Sequence, residues 1–133
     1  MAQSNVTRLP KVVDRPTHAA LDYLTTGAFL MLAGLAWDRS KRSSVCAMIN
    51  GFMVLGVSMF TDYPGSIRRL ISFRTHRNLD MVQAAMAASM PTLVGFSDTP
   101  DAWLFRAQAA NEAMVIGITD WDSKKDAVLD KAA

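Results

Sequence analysis

Cysteine is nearly absent. Cys46 stands alone in 133 residues, which excludes an intramolecular disulfide and a cysteine-rich metal site. Charge is sparse as well, at 20% of residues with a net charge of +2. The basic residues are not gathered into one face, so no nucleic-acid partner is expected. No Gly-rich phosphate loop, C-x-x-C pair or catalytic triad is found, and no H-E-x-x-H or E-x-x-H spacing. No residue is therefore nominated as catalytic, and an enzyme is not the expected class. No basic segment with a short apolar stretch and cleavage site opens the chain. Residues 1–14 are polar and proline-punctuated and read as a tail.

What is present is apolar and helix-favouring. Half the residues are hydrophobic and nine are methionine, with many Ala and Leu. Four apolar runs follow one another, at residues 19–37, 44–61, 78–96 and 102–119. The first and third each carry one carboxylate near the start, Asp22 and Asp80, and the second carries no charge. Runs of this length match what a helix needs to cross about 30 Å of hydrocarbon. Arg106, Gln108, Asn111 and Glu112 interrupt the fourth run, so a soluble four-helix bundle stands as the alternative.

Charge placement separates the two readings. With the termini and the 62–74 connection on one side, that side holds Arg8, Lys11, Arg15, Arg68, Arg69, Arg74, Arg77, Lys124, Lys125 and Lys131, ten of the fourteen basic residues. Arg39, Lys41, Arg42 and Arg106 lie on the other. That bias fits the positive-inside rule with both termini cytoplasmic. The expected partner is the lipid bilayer, and the expected location is a bacterial inner membrane.

The chain also repeats itself. Thr17-His18-Ala19-Ala20-Leu21-Asp22 returns as Thr75-His76-Arg77-Asn78-Leu79-Asp80, 58 positions later. Ahead of it, Leu9, Lys11, Val12 and Val13 line up with Ile67, Arg69, Leu70 and Ile71. The spacing of Ile67, Leu70 and Ile71 predicts a short helix lying in the lipid interface. Thr17 and Thr75 are N-cap candidates. Further on, Asn50 aligns with Asn111 and Met53 with Met114. Both copies close on Thr-Asp-aromatic, Thr61-Asp62-Tyr63 and Thr119-Asp120-Trp121, with Tyr63 and Trp121 at the level of an aromatic belt. The fold expected is an all-α four-helix transmembrane bundle made of two tandem helical hairpins in parallel pseudo-two-fold arrangement. Its parts are a tail at 1–14, a first hairpin at 15–63, an interfacial helix with a second hairpin at 64–121, and a charged tail at 122–133 that is a frayed helix or disordered. Pro91 predicts a kink in the third helix.

These residues resemble the SPW-repeat family of small bacterial membrane proteins, over roughly residues 15–121. The resemblance rests on His18-x-x-Leu21-Asp22-Tyr23, Phe60-Thr61-Asp62-Tyr63, Arg69-Leu70-Ile71, His76-x-x-Leu79-Asp80 and residues 90–98 around Pro91-Thr92-Leu93. In this chain Met90 and Thr92 stand where the family signature has Ser and Trp, and the signature is missing from residues 32–37. The resemblance implies an integral membrane four-helix protein and carries no chemistry with it.

The sharpest constellation is His18, Asp22, His76 and Asp80, each His one turn before its Asp on the same helix face. Together they could ligate one or two divalent metals, or the histidines a haem. The bland reading is that each carboxylate holds its own histidine or a nearby arginine. Glu112 is costly in a spanning helix. It is expected to pair with Gln83 or Thr25, to exchange a proton, or to serve as a third carboxylate beside Asp22 and Asp80. Asn50 and Asn111 are expected to hydrogen-bond across the bundle. Three functions are consistent with this. The first is a non-catalytic accessory or self-associating module, as a homo-oligomer or in a larger membrane complex. The second is a metal-, haem- or quinone-binding protein of redox or proton transfer. The third is an oligomeric pore or transporter.

Overall fold

The computed structural model describes residues 8–131; residues 1–7 of the expected N-terminal tail and 132–133 of the C-terminal tail lie outside them. The chain folds into four α-helices, α1 (Arg15–Ala36), α2 (Lys41–Phe60), α3 (Phe73–Val94) and α4 (Pro100–Ile118), followed by a 3₁₀ turn at Leu129–Lys131. No strand forms among the described residues. The helices run alternately up and down, because the connections at 37–40 and 95–99 are too short to do otherwise.

Each helix begins where a side chain can cap it. Asp14 accepts from the Thr17 amide, Ser72 from that of Thr75, Ser40 from that of Ser43, and Thr99 from that of Ala102. The threonines expected to cap α1 and α3 therefore lie inside the first turn, three residues later. Pro16 and Pro100 occupy early positions, where a missing N–H costs nothing. Helix α3 continues one turn past Pro91 and stops at Gly95, whose φ of 79° is the left-handed conformation that glycine adopts without penalty.

Both hairpins close on compact cores. In the half far from the termini, Phe29 and Phe96 set their rings 5.6 Å and 5.3 Å from Phe105. Ala33, Ala47, Ala87, Ala102 and Ala109 let the backbones approach around these rings. Gly51 makes α1 and α2 meet closely, since a Cβ there would lie 2.9 Å from Leu30.

At the other end the helix termini are tied together in pairs. Val12 and Val13 donate to Ile118 O, and Asp120 donates back to Val13 O at 2.8 Å. Leu70 and Ile71 donate to Phe60 O, and Asp62 donates back to Ile71 O at 2.8 Å. These two short parallel bridges fasten the start of α1 to the end of α4, and the end of α2 to the start of α3. Residues 61–72 are consequently extended and turned rather than helical, a departure from the interfacial helix expected there. Its amides are spent on the end of α2, while Ile67 and Leu70 remain exposed.

The charged tail also departs from expectation. Residues 122–131 fold back over Arg15, whose side chain is 1% exposed. Arg15 donates to Ser123 O through Nε and Nη2, to Asp62 through Nη1, and to Asp130 Oδ2 through Nη2 at 2.7 Å. Asp62 in turn accepts from the Val128 and Asp130 amides and from Arg69. Burial would raise the carboxyl pKa of Asp62. Those two amides, with Arg69 and Arg15, outweigh it and hold the group below the ordinary carboxylate range.

Two helices, α1 and α2, are long and apolar enough to cross a membrane. Helices α3 and α4 match them in length only. Charges such as Arg74, Arg77 and Asp80 in α3, and Asp101, Arg106 and Glu112 in α4, keep them below that standard.

Candidate metal centre

The buried polar residues gather on the axis of the bundle rather than on its outside. His18 and His76 are each 1% exposed, and their ring centroids lie 5.2 Å apart. His18 and Asp22 come from successive turns of α1, His76 and Asp80 from successive turns of α3. One ligand atom from each of the four lies within 4.8 Å of all the others. The expected constellation is thus one cluster, in which each histidine faces both carboxylates. His18 Nε2 lies 3.5 Å from Asp22 and 3.1 Å from Asp80. His76 Nε2 lies 3.0 Å from each carboxylate.

The other ring nitrogens identify the tautomers. His76 Nδ1 lies 2.7 Å from Thr61 Oγ1, and that hydroxyl lies 2.7 Å from Val57 O. His18 Nδ1 lies 3.0 Å from Thr119 Oγ1, which lies 2.6 Å from Val115 O. A carbonyl can only accept, so each hydroxyl proton goes to its carbonyl and each Nδ1–H donates to the hydroxyl. Both Nε2 atoms then turn toward the carboxylates. In neutral imidazoles these atoms carry lone pairs, the form a metal requires. Each histidine takes its threonine from the opposite hairpin, so the hairpins hold each other's histidines in place.

Tyr63 supports the cluster. Its hydroxyl donates to Asp22 Oδ2 at 2.7 Å. Burial above all, with the nearby Asp22 charge, pushes its phenol well above the ordinary value, so it remains a donor. Tyr63 is fully buried and Trp121 is 8% exposed, its ring 4.8 Å from that of His18. The pair expected in an interfacial belt instead roofs the histidines, together with Phe73.

His76 Nε2 makes no hydrogen bond, although two carboxylate oxygens lie at hydrogen-bond distance, because neither is in line with the ring N–H direction. A tetrahedral ion with arms of about 2.0–2.1 Å has ligand–ligand edges of roughly 3.3–3.4 Å. The four N–O separations of 3.0–3.5 Å involve both oxygens of each carboxylate; with one oxygen taken from each, the four donor atoms lie within 4.8 Å of one another and would draw inward to close on one ion.

Other nominated residues are placed less as expected. Gln83 donates to Asn50 Oδ1 at 2.5 Å, while Asn50 Nδ2 donates to Cys46 O. Thr25 accepts from Gln108 at 3.1 Å. Glu112 pairs with neither Gln83 nor Thr25: its two carboxylate oxygens are buried and without a hydrogen-bond partner. Asn111, aligned with Asn50 in the sequence, is exposed and makes no hydrogen bond among the described residues. The residue 58 positions after Asn50 is Gln108, and the residue 58 after Thr25 is Gln83. The two contacts, Gln83 to Asn50 and Gln108 to Thr25, are therefore related by the same 58-residue offset, which leads from Asn50 to Gln108 rather than to Asn111.

A haem does not fit at this layer. The carboxylates occupy the space between the two Nε2 atoms, and the cavities that His76, Asp22 and Asp80 adjoin measure about 20 and 60 Å³. A macrocycle or a quinone ring needs a pocket of roughly 300 Å³ or more.

Sequence reading missed Thr61, Thr119 and Tyr63 as supports of the cluster. Their repeated Thr-Asp-aromatic ending was a visible signal, but its direction was not. Comparison with known proteins finds no family model, no curated protein and no solved structure that matches this chain.

Proposed function

We propose that this is a small multi-pass membrane protein whose two hairpins jointly hold one divalent transition-metal ion between His18, Asp22, His76 and Asp80. The observation that carries it is the set of four ligand atoms at metal-ligand spacing, with both Nδ1 atoms committed to threonine. Two imidazole and two carboxylate donors suit Zn²⁺, Fe²⁺ or Mn²⁺ rather than Ca²⁺. Thr61, Thr119 and Tyr63 orient the ligands, a role that in metal sites tunes affinity.

The membrane part of the reading is supported by an inverted distribution of polarity. Asn50, Gln83, Thr26 and the His/Asp cluster are buried, while Leu24, Met31, Leu35, Phe52, Val82, Leu93, Trp103 and Met114 are exposed on all four helices. A water-soluble chain rarely leaves so much contiguous apolar surface uncovered. The basic end carries the termini, which by the positive-inside rule makes it cytoplasmic. Duplication of a hairpin is supported by the contacts that recur 58 positions apart: the two terminal bridges, the two His–Thr bonds and the two glutamine bonds. Membership of the SPW-repeat family belongs to the same reading and rests on the motifs quoted above.

A second reading has its own observation. At 3.0–3.1 Å, three of the four His–Asp distances equal those of ion pairs. Two imidazolium and two carboxylate groups would balance in charge, giving an accessory module that uses the cluster only to lock its hairpins. Metal analysis of the full chain, purified in detergent from metal-replete cells, separates the two. One ion per chain, lost in both His18→Ala and His76→Ala, is the expected result. A well-folded but metal-free protein that also binds no added Zn²⁺ or Co²⁺ leaves the ion-pair lock. Release of the chain from membranes by alkaline carbonate would refute the membrane reading.

A further inference from the structure

At the end of the bundle that carries the termini, an open pocket of about 390 Å³ lies between the start of α3 and the segment that follows α4. Its walls include three basic side chains, Lys11, Arg74 and Arg77, and two acidic ones, Asp120 and Asp122, with the buried indole of Trp121. The acidic pair is engaged locally. Asp122 Oδ1 accepts from Arg74 Nε at 3.1 Å, and Asp120 Oδ1 accepts from the Asp122 amide at 3.1 Å. Two of the cations are not so matched. Among the described residues, Lys11 Nζ donates only to Gly117 O, at 2.7 Å, and the Arg77 side chain makes no ion pair or hydrogen bond. Residues 1–7 contain no Asp or Glu that could neutralise either.

The first hairpin offers a comparison. Under the 58-residue offset Asp120 leads to Asp62, Lys11 to Arg69 and Trp121 to Tyr63. That surface is covered by the chain itself: the Val128 and Asp130 amides donate to Asp62, and Arg69 donates to Asp126 O. The second surface is left open. Where the covered surface has Pro16 and the buried Ala19, the open one has Arg74 and Arg77. Added positive charge and an open pocket thus coincide in the same copy.

We propose that this pocket binds the headgroup of an anionic phospholipid, with Lys11 and Arg77 supplying the charge that its phosphate requires. The proposal rests on the membrane reading, which sets the pocket at the basic end of the bundle, at headgroup depth. Basic pockets between spanning helices on that side of a bilayer suit anionic headgroups. Apolar surface lies where the acyl chains would run. Leu9 and Val12 sit close to Lys11 in the chain, Met81 follows Arg77 by one turn of α3, and all three are exposed. At about 390 Å³ the pocket falls within the range of small-molecule sites, roughly 300–1,000 Å³, and is larger than a bare phosphate ion requires.

The full chain in uncharged detergent is titrated with dioleoyl phosphatidylglycerol, dioleoyl phosphatidylcholine or inorganic phosphate, and bound species are counted by native mass spectrometry. The expected result is a single phosphatidylglycerol held in preference to phosphatidylcholine. Its affinity should fall about fivefold in Arg77→Gln or Lys11→Gln, and about 25-fold in the double variant. Arg77 is exposed and unpaired among the described residues, so its replacement leaves the helices intact, which far-ultraviolet circular dichroism checks. Arg68→Gln removes an exposed charge at the same end but outside the pocket, and should change the affinity by less than about twofold. Equal retention of the two lipids, equal weakening by Arg68→Gln, or inorganic phosphate bound as tightly as phosphatidylglycerol overturns the headgroup site. The membrane reading fails separately. Release of the chain by alkaline carbonate overturns both, whereas a chain that stays in the membrane without preferring phosphatidylglycerol overturns the pocket alone.

Discussion

Thr61→Val tests the hinge of the argument, that the threonines hold the histidine tautomers. Valine keeps the shape of threonine, so no cavity opens. What is lost is the acceptor 2.7 Å from His76 Nδ1 and the donor to Val57 O. A buried N–H left without an acceptor costs about 1–3 kcal/mol, and the hydrogen bond to Val57 O is worth about 1 kcal/mol more. A metal-free chain should thus lose about 2 kcal/mol or more of stability, read from urea denaturation in mild detergent by far-ultraviolet circular dichroism. In the loaded protein the imidazole is no longer held with Nε2 toward the carboxylates. Zn²⁺ affinity, measured by competition with a chromophoric chelator, should fall about 10- to 100-fold, or about 1.4–2.7 kcal/mol. Thr61→Ser, which keeps the hydroxyl, should stay within about threefold of wild type. A double-mutant cycle then localises the effect. With His76→Ala already in place, Thr61→Val has no Nδ1 to strand, so its stability cost should shrink to that of the Val57 bond. Equal affinity in Thr61→Val and wild type would refute the tautomer argument. So would a cost that persists in full without His76.

Three further outcomes follow from the fold. Arg15→Met removes the cation that holds residues 123–130 against Asp62. Breaking a buried pair costs about 3–5 kcal/mol, toward the lower figure because Arg69 still reaches Asp62, and trypsin should then cut after Lys124 or Lys125 in the otherwise folded chain; unchanged protection of those sites would count against the latch. The pH dependence follows from the depressed pKa of Asp62. Its folded pKa lies below the unfolded value of about 3.9, so its contribution is complete above that value and is lost as pH falls through the folded pKa. Asp62→Asn should therefore flatten the acid limb of a stability–pH curve below about pH 4, and an acid limb identical to wild type would remove Asp62 from the account. Gly95→Ala places a Cβ on a residue with φ 79°. It should cost about 1–2 kcal/mol, seen as a lower urea midpoint, with metal content unaffected because Gly95 lies at the opposite end of the bundle.

Much of the architecture was legible before any coordinates. Apolar runs of helical length, separated by short polar breaks, leave no alternative to four helices. A T-H-x-x-L-D motif appearing twice put a His and an Asp one turn apart on two of them. Caps were misplaced by three residues because Asp14 and Ser72 compete with Thr17 and Thr75 for the same amides, and a propensity does not say which side chain gets there. The interfacial helix at 67–71 was misread for a related reason. Its apolar spacing is helical, but its amides are claimed by the open carbonyls at the end of α2, a partner far from its own local pattern. The alignment of Asn50 with Asn111 followed residue type, whereas the contacts follow the constant 58-residue offset, which leads to Gln108.

Sequence alone determined the helices, their order, the sorting of basic residues to one end and the four residues of the His/Asp cluster, because each depends on local composition and spacing. Tertiary structure decided which atoms face which. It set each histidine against both carboxylates, took each histidine's threonine from the opposite hairpin, and turned Tyr63 and Trp121 inward as a roof. It also left Glu112 unpaired beside Asp22 and Asp80. Those outcomes depend on how the two hairpins sit against each other. That arrangement is set by the sum of all their contacts and is written in no single stretch of the chain.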